Sequence, residues 1–143
     1  MKILVINGHS DKESYCQAIF QTIVKTIDQN HHELKVINLN EEDFDPVLRY
    51  GYRKRMEEDS FILRSQEWIQ WADHLIFVYP IWWSSMPSLL KGWIDRVFTP
   101  GIAYSANDQG SFIWNYLRGK QFKKLLKGKT ASIYATSMAP TWW

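Results

Sequence analysis

Four short apolar runs, separated by segments of helical periodicity, leave this chain few architectures to choose from. Lys2 to Asn7 is a near-continuous apolar run closed by Gly8, too short for a helix and suited to a strand buried on both faces. Leu34 to Leu39, His74 to Tyr79 and Thr130 to Thr136 read as the second, third and fourth strands. From Ser14 to Asp28 the residues Ala18, Ile19, Ile23 and Ile27 fall at helical spacing, with Ser14 available as a cap. Ser60 to Ala72 predicts a second helix with Ile62, Leu63, Ile69 and Ala72 as its buried stripe. Pro87 suits the first turn of a third, whose apolar face is Leu89, Leu90, Trp93, Ile94 and Val97. The charged stretch Arg49 to Asp59 is open between a lid, a loose helix and a solvated loop, and Thr99 to Gly128 is a long connection with a short helix expected near Gln121 to Leu126.

Strand and helix alternate without internal repeat, which predicts an α/β sandwich: a parallel sheet with helices on both faces. At 143 residues and 45% apolar, the chain suits one domain over residues 1–143. Ligands of such sheets bind beyond the carboxyl ends of the strands, near the switch in strand order. The turns after strands one, three and four are therefore where chemistry is expected.

Composition removes several function classes. A net charge of +2, with cations mixed among acids apart from a modest cluster between Arg118 and Lys129, is no nucleic-acid footprint. The single cysteine, Cys16, excludes an intrachain disulfide and a cysteine-cluster metal site and points to a reducing, cytoplasmic setting. No apolar stretch approaches the ~20 residues of a membrane-spanning helix, so a soluble protein without membrane insertion is expected. The run at the amino terminus lacks the basic start and cleavage site of a signal peptide. The four histidines lack metal-ligand spacing, and no GxSxG nucleophile elbow occurs. His31 and His32 suit a solvated helix end and His74 a structural place at a strand start, which leaves His9 as the functional candidate.

Three turns carry the candidate residues. The first, Asn7 to Ser14, runs into a helix; free amides and short hydroxyls there suit a phosphate, although the turn has neither a Walker loop nor GxGxxG. In the third, Tyr79-Pro80-Ile81-Trp82-Trp83-Ser84-Ser85-Met86-Pro87, two indoles and small residues stand between prolines where a ligand should sit. Such a turn could wall a flat isoalloxazine ring, or make a dimer contact through Trp82 and Trp83. The fourth, Thr136-Ser137-Met138 onward to Trp143, adds hydroxyls and aromatics at the same sheet edge.

The segment YPIWWSSMPSLLKGWIDRVFTPGIAY, Tyr79 to Tyr104, resembles the signature of the flavodoxin-like NAD(P)H:quinone oxidoreductase family, which includes bacterial quinone reductases and potassium-efflux ancillary proteins. Asn7 to Ile19 resembles that family's flavin-phosphate loop, and Phe44-Asp45-Pro46 its short motif after the second strand. The resemblance implies a flavodoxin-like three-layer sandwich of strand order 2-1-3-4, a bound FMN or FAD, NAD(P)H as co-substrate, a quinone or similar acceptor, and a homodimer with Trp93 near its two-fold axis. It implies that His9, Ser14, Tyr15 and Cys16 meet the flavin phosphate region, with Cys16 acting through its backbone. Pro80, Ile81, Trp82, Trp83 and Ser84 would border the ring, Thr136, Ser137 and Met138 would complete its edge, and Tyr104 would line the pocket above it.

Two departures from the family stand out. A Gly-Gly pair after the fourth strand is replaced here by Met138-Ala139-Pro140-Thr141-Trp142-Trp143. The family also continues through a further helix and fifth strand beyond the position of Trp143, so the resemblance implies a truncated carboxyl terminus. The alternatives to an oxidoreductase are a regulatory flavoprotein subunit of a membrane transporter and a flavin-free remnant.

Overall fold

The sheet is assembled around its central strand. In the computed structural model, which describes residues 1–105 and 123–138, β1 (Lys2–Asn7) pairs in parallel with β2 (Glu33–Asn38) on one side and β3 (His74–Pro80) on the other. Leu4, Val5 and Ile6 are all 0% exposed, which is why this run is apolar on both faces. Three helices follow the first three strands: α1 (Tyr15–Gln29), α2 (Ser60–Trp71) and α3 (Ser88–Val97). The short strands β4 (Tyr104–Ser105) and β5 (Lys123–Lys124) form an antiparallel pair of their own, and β6 (Thr130–Thr136) joins the far side of β3. Among the described residues the main sheet runs β2-β1-β3-β6, the expected 2-1-3-4 order with β6 as fourth strand.

Side-chain alternation along β1 and β3 splits the core into two layers. Ile3, Val5, Ile76 and Val78 meet Cys16, Phe20 and Ile27 of α1. Leu4, Ile6, Ile37 and Leu75 meet Phe61, Ile62 and Ile69 of α2 and Leu90, Trp93 and Val97 of α3. The helix starts have identifiable causes. Ser14 accepts the Gln17 amide on its hydroxyl, and Asp59 accepts the Phe61 and Ile62 amides on Oδ1 at 2.9 and 3.2 Å.

Packing corrects several expectations. Ala18 is exposed and Leu63 is 40% exposed; Cys16 and Phe20, and Phe61 with Ser65, take the inward positions instead. Helical spacing identified the right segments but not the rotation of each about its axis. Trp93, expected near a two-fold axis, is 0% exposed. Its ring packs edge-on to Phe77 and Phe98, and its Nε1–H donates to Ser65 Oγ at 3.1 Å, so it belongs to the interior of one chain. Between Gln121 and Leu126, where a short helix is expected, residues 123–126 form a strand pair and turn; Gln121 lies outside the described residues.

The stretch Arg49 to Asp59 is an irregular loop with a left-handed Gly51 (φ 57°). It is pinned at both ends to α3. Arg96, buried, donates to the Asp45 carbonyl at 2.5 Å and stands 4.0 Å from the Asp59 carboxylate. Gly92 lies directly under Pro46, where a Cβ would come within 2.3 Å of the Pro46 oxygen. Two clefts of about 520 and 620 Å³ open between this loop and the neighbouring helices, and neither is lined by a residue of the three strand-exit turns. Outside the core, Lys35 of β2 stacks on Trp68 and Trp71 of α2 at 5.2 and 4.5 Å, so two of the eight tryptophans cover the β2 edge. At the opposite edge, Ile133 (60%) and Tyr134 (47%) of β6 are exposed.

Because the Gly92 contact is with backbone, a side chain there cannot be accommodated by a rotamer change. Gly92→Ala is expected to lower the unfolding free energy by about 1–3 kcal/mol, read from urea denaturation; an unchanged midpoint would show that the 45–46 segment is not seated on α3.

Candidate functional site

Parallel strands bring their carboxyl ends to one edge, and direct contacts tie the three exit turns together there. The first and third turns meet through the Gly8 amide, which donates to the Val78 carbonyl at 2.8 Å, and through the His9 and Trp82 rings, edge to face at 5.3 Å. Gly8 stands against Leu90, whose Cδ2 would lie 2.7 Å from an added Cβ. The third and fourth turns meet where the Ile81 amide donates to the Thr136 carbonyl at 2.8 Å. The first and fourth meet through Cys16 Sγ and Thr136 Oγ1, 3.2 Å apart.

Each expected residue has a definite place in this arrangement. Ser14 is the α1 cap, Tyr15 is 75% exposed, and the Cys16 thiol points inward at 1% exposure. The Tyr15 and Cys16 amides belong to the first helical turn and have no partner within the helix. Pro80 closes β3, buried; Ile81 and Trp82 are 43% and 45% exposed, and Ser84 is exposed. Thr136 is half-buried, while Ser137 and Met138 are exposed, so the residues of the three turns lie around one surface. Ala139 to Trp143 lie outside the described residues. His74 has the structural place expected of it, its ring bridging Thr130 and Ser132 at the opposite end of the sheet.

The third turn has the least ordinary backbone. Trp82 and Ser85 exchange both backbone hydrogen bonds, N to O at 2.9 and 3.0 Å, which makes Trp83 and Ser84 the two central residues of a tight hairpin turn. Both lie in the left-handed region, at φ 49° and 59°. Turns of this kind favour Asn-Gly, and a bulky residue in that region costs on the order of 1–3 kcal/mol. The strain is not repaid by packing, because Trp83 is 99% exposed. Among the described residues, the Trp83 and Ser84 amides donate to no protein backbone acceptor.

Tyr104 stands in β4, paired with Lys124, and near Tyr52, whose hydroxyl donates to the Asp95 carbonyl in the last turn of α3. Burial, then the neighbouring Asp95 and Tyr104, push the Tyr52 hydroxyl above its ordinary value, partly offset by Lys91.

Beneath the turns lies a polar network that sequence reasoning missed. Asn7, 0% exposed, donates from Nδ2 to Gln17 Oε1 at 2.7 Å and to Asn38 Oδ1 at 2.9 Å, and accepts the His9 amide on Oδ1 at 3.1 Å. Asn40 donates to the His9 carbonyl at 3.2 Å and to Gln17 Oε1 at 3.4 Å. The available signal was the repeated Val-Ile-Asn that closes both β1 and β2, whose asparagines stand opposite each other in register.

Among the described residues no group of three or more His, Cys, Asp or Glu side chains could hold a metal ion. Nor does any described helix have the length and apolarity to cross a membrane.

Residues 1–142 match the Flavodoxin_2 family, a flavodoxin-like fold. The crystal structure of Smu.1420 from Streptococcus mutans UA159 is similar over 99% of this chain and 71% of its own, at 34% identity and a TM-score of 0.73. General stress protein 14 from Treponema denticola, solved in complex with FMN, shares the fold at 24% identity and a TM-score of 0.63, over 98% of this chain and 64% of its own. Among curated proteins, NAD(P)H dehydrogenase [quinone] 1 of Cavia porcellus is 30% identical over 78% of this chain and 49% of its own length. The chain spans between about half and two thirds of the length of the curated relatives it matches best. A match over nearly the whole chain, joined to the 2-1-3-4 parallel sheet and the tied exit turns, means that this chain belongs to the Flavodoxin_2 family, with the flavodoxin-like NAD(P)H:quinone oxidoreductases as its kin.

Proposed function

We propose that the strand-exit surface binds a flavin and that the protein is an NAD(P)H:quinone oxidoreductase. The observation that carries the reading is the strained, solvent-facing Trp83–Ser84 turn: two left-handed residues, a 99% exposed indole and two amides without backbone acceptors. Backbone strain persists where the surrounding structure enforces it, and it clusters at ligand sites. These features fit a flavin. The indoles offer an apolar wall for a flat ring, and the free amides offer donors to its polar edge. The α1 amino terminus, capped by Ser14, suits a phosphate.

In this reading His9, Ser14, Tyr15 and Cys16 hold the flavin phosphate, with Cys16 contributing its amide because its thiol faces Thr136. Pro80, Ile81, Trp82, Trp83 and Ser84 border the ring, and Thr136, Ser137 and Met138 close its edge. A flavin held there would supply the redox chemistry, taking NAD(P)H, a quinone and one proton from solvent to NAD(P)⁺ and hydroquinone. The chain's own part is to hold the ring against Trp82 and Trp83 and to stack nucleotide and quinone alternately on its open face. FMN is the preferred flavin, because a structural neighbour of the same fold is solved with it; FAD is the other candidate. Tyr104 lines the pocket above the ring, and the protein acts as a homodimer. A reducing, cytoplasmic setting, inferred from the lone cysteine, completes the proposal.

The direct experiment is an absorbance spectrum of the protein with FMN or FAD, then with NAD(P)H under anaerobic conditions, then with a quinone. Yellow protein that is bleached by the nucleotide and restored by the quinone is expected. Flavin binding without bleaching would leave a binding protein in place of an oxidoreductase, and a protein that binds neither flavin would sink the reading.

Relief of the turn separates stability from function. Trp83→Gly removes a left-handed side chain that packs on nothing, so apo stability is expected to rise by about 1 kcal/mol in urea unfolding. Its FMN dissociation constant should rise by roughly tenfold, the worth of one aromatic contact. Unchanged FMN affinity would remove Trp83 from the ring wall.

A further inference from the structure

The polar network beneath the first turn breaks a rule of protein interiors at one atom. Asn40 Oδ1 is buried and is the one such side-chain atom among the described residues that meets no hydrogen-bond partner. Its orientation is nonetheless forced. The other end of the amide, Nδ2, faces two atoms that can only accept, the His9 carbonyl and Gln17 Oε1. A flipped Asn40 would set oxygen against oxygen at both. The molecule therefore tolerates an unsatisfied acceptor in order to keep a donor on His9.

His9 is held on every side. Its amide donates to Asn7 Oδ1 and its carbonyl accepts from Asn40 Nδ2. Its ring Nδ1 accepts the Asp11 amide at 2.9 Å, and the ring packs edge to face with Trp82. A backbone N–H can only donate, so Nδ1 carries no proton and Nε2 is the protonated nitrogen. The His9 backbone is held by Asn7, at the end of β1, and by Asn40, just after β2, while Gln17 of α1 and Asn38 of β2 orient those two amides.

We infer that Asn40 is a positioning residue for the anion-binding turn: by fixing the His9 carbonyl through a donor oriented by Gln17, it keeps the imidazole against Trp82 with Nε2–H as its free donor. The inference rests on the flavin reading above, because the anion so served is the flavin phosphate. A purely structural role makes a different prediction. If Asn40 served only stability, its removal would cost folding free energy; as a positioning residue with an orphaned oxygen, its apolar replacement costs little.

The test uses the full chain with Asn40→Leu, close in shape but without a donor, and Asn40→Ala beside it. In the wild-type apoprotein, long-range proton–nitrogen NMR of the His9 ring is expected to show the Nε2–H tautomer. In both variants the ring should populate both tautomers, and the FMN dissociation constant should rise by roughly tenfold, the equivalent of one hydrogen bond. The thermal midpoint of Asn40→Leu should be unchanged or higher. Variants that keep the tautomer and the FMN affinity would overturn the inference, as would a lowered midpoint with FMN affinity intact. A wild-type protein that binds neither FMN nor FAD would refute the flavin reading instead, while the tautomer comparison would still decide whether Asn40 sets the His9 ring.

Discussion

The structure depends first on the burial of β1 from both sides. A strand whose Leu4, Val5 and Ile6 are wholly removed from solvent needs a helix layer on each face and a paired strand along each edge. Parallel pairing then makes crossover connections unavoidable, and crossovers bring every strand's carboxyl end to the same edge. The convergence of the first, third and fourth exit turns is thus a consequence of how the core is buried. It exists before any residue in those turns is chosen.

That frame is rigid where the turns are unusual. The left-handed Trp83 and Ser84 are held by the Trp82–Ser85 exchange and by the tie from Ile81 to Thr136, so the strain is imposed from the sheet. The His9 turn is gripped from below by amide side chains. In both, the apolar core supplies the stability and the turn carries the local cost, an exposed indole in one and an orphaned oxygen in the other.

Much of this was legible in the sequence. The apolar runs gave the strands to within a residue or so, and Ser14 and Pro87 marked helix starts because capping chemistry is local. Tyr79 to Pro87 stood out as a candidate site because clustered indoles between prolines serve no ordinary strand exit. Helix rotation was less legible. Ala18 and Leu63 fit a helical stripe as well as Phe20 and Phe61 do, and only the bulk each neighbour leaves open decides between them. Trp93 was misjudged for a related reason: a large aromatic suits an interface and a core equally until Ser65, Phe77 and Phe98 are seen around it.

By itself the sequence determined the element order, the parallel sheet, the edge at which the exit turns gather and the residues of those turns, because periodicity, capping and strand length are properties of neighbours along the chain. Tertiary structure alone decided that Tyr52 reaches the Asp95 carbonyl of α3, that Asn7, Gln17, Asn38 and Asn40 form one network around His9, and that Trp83 is strained and open to solvent. Those facts join residues up to dozens of positions apart or depend on φ angles imposed by the fold, and neither is written in any local pattern.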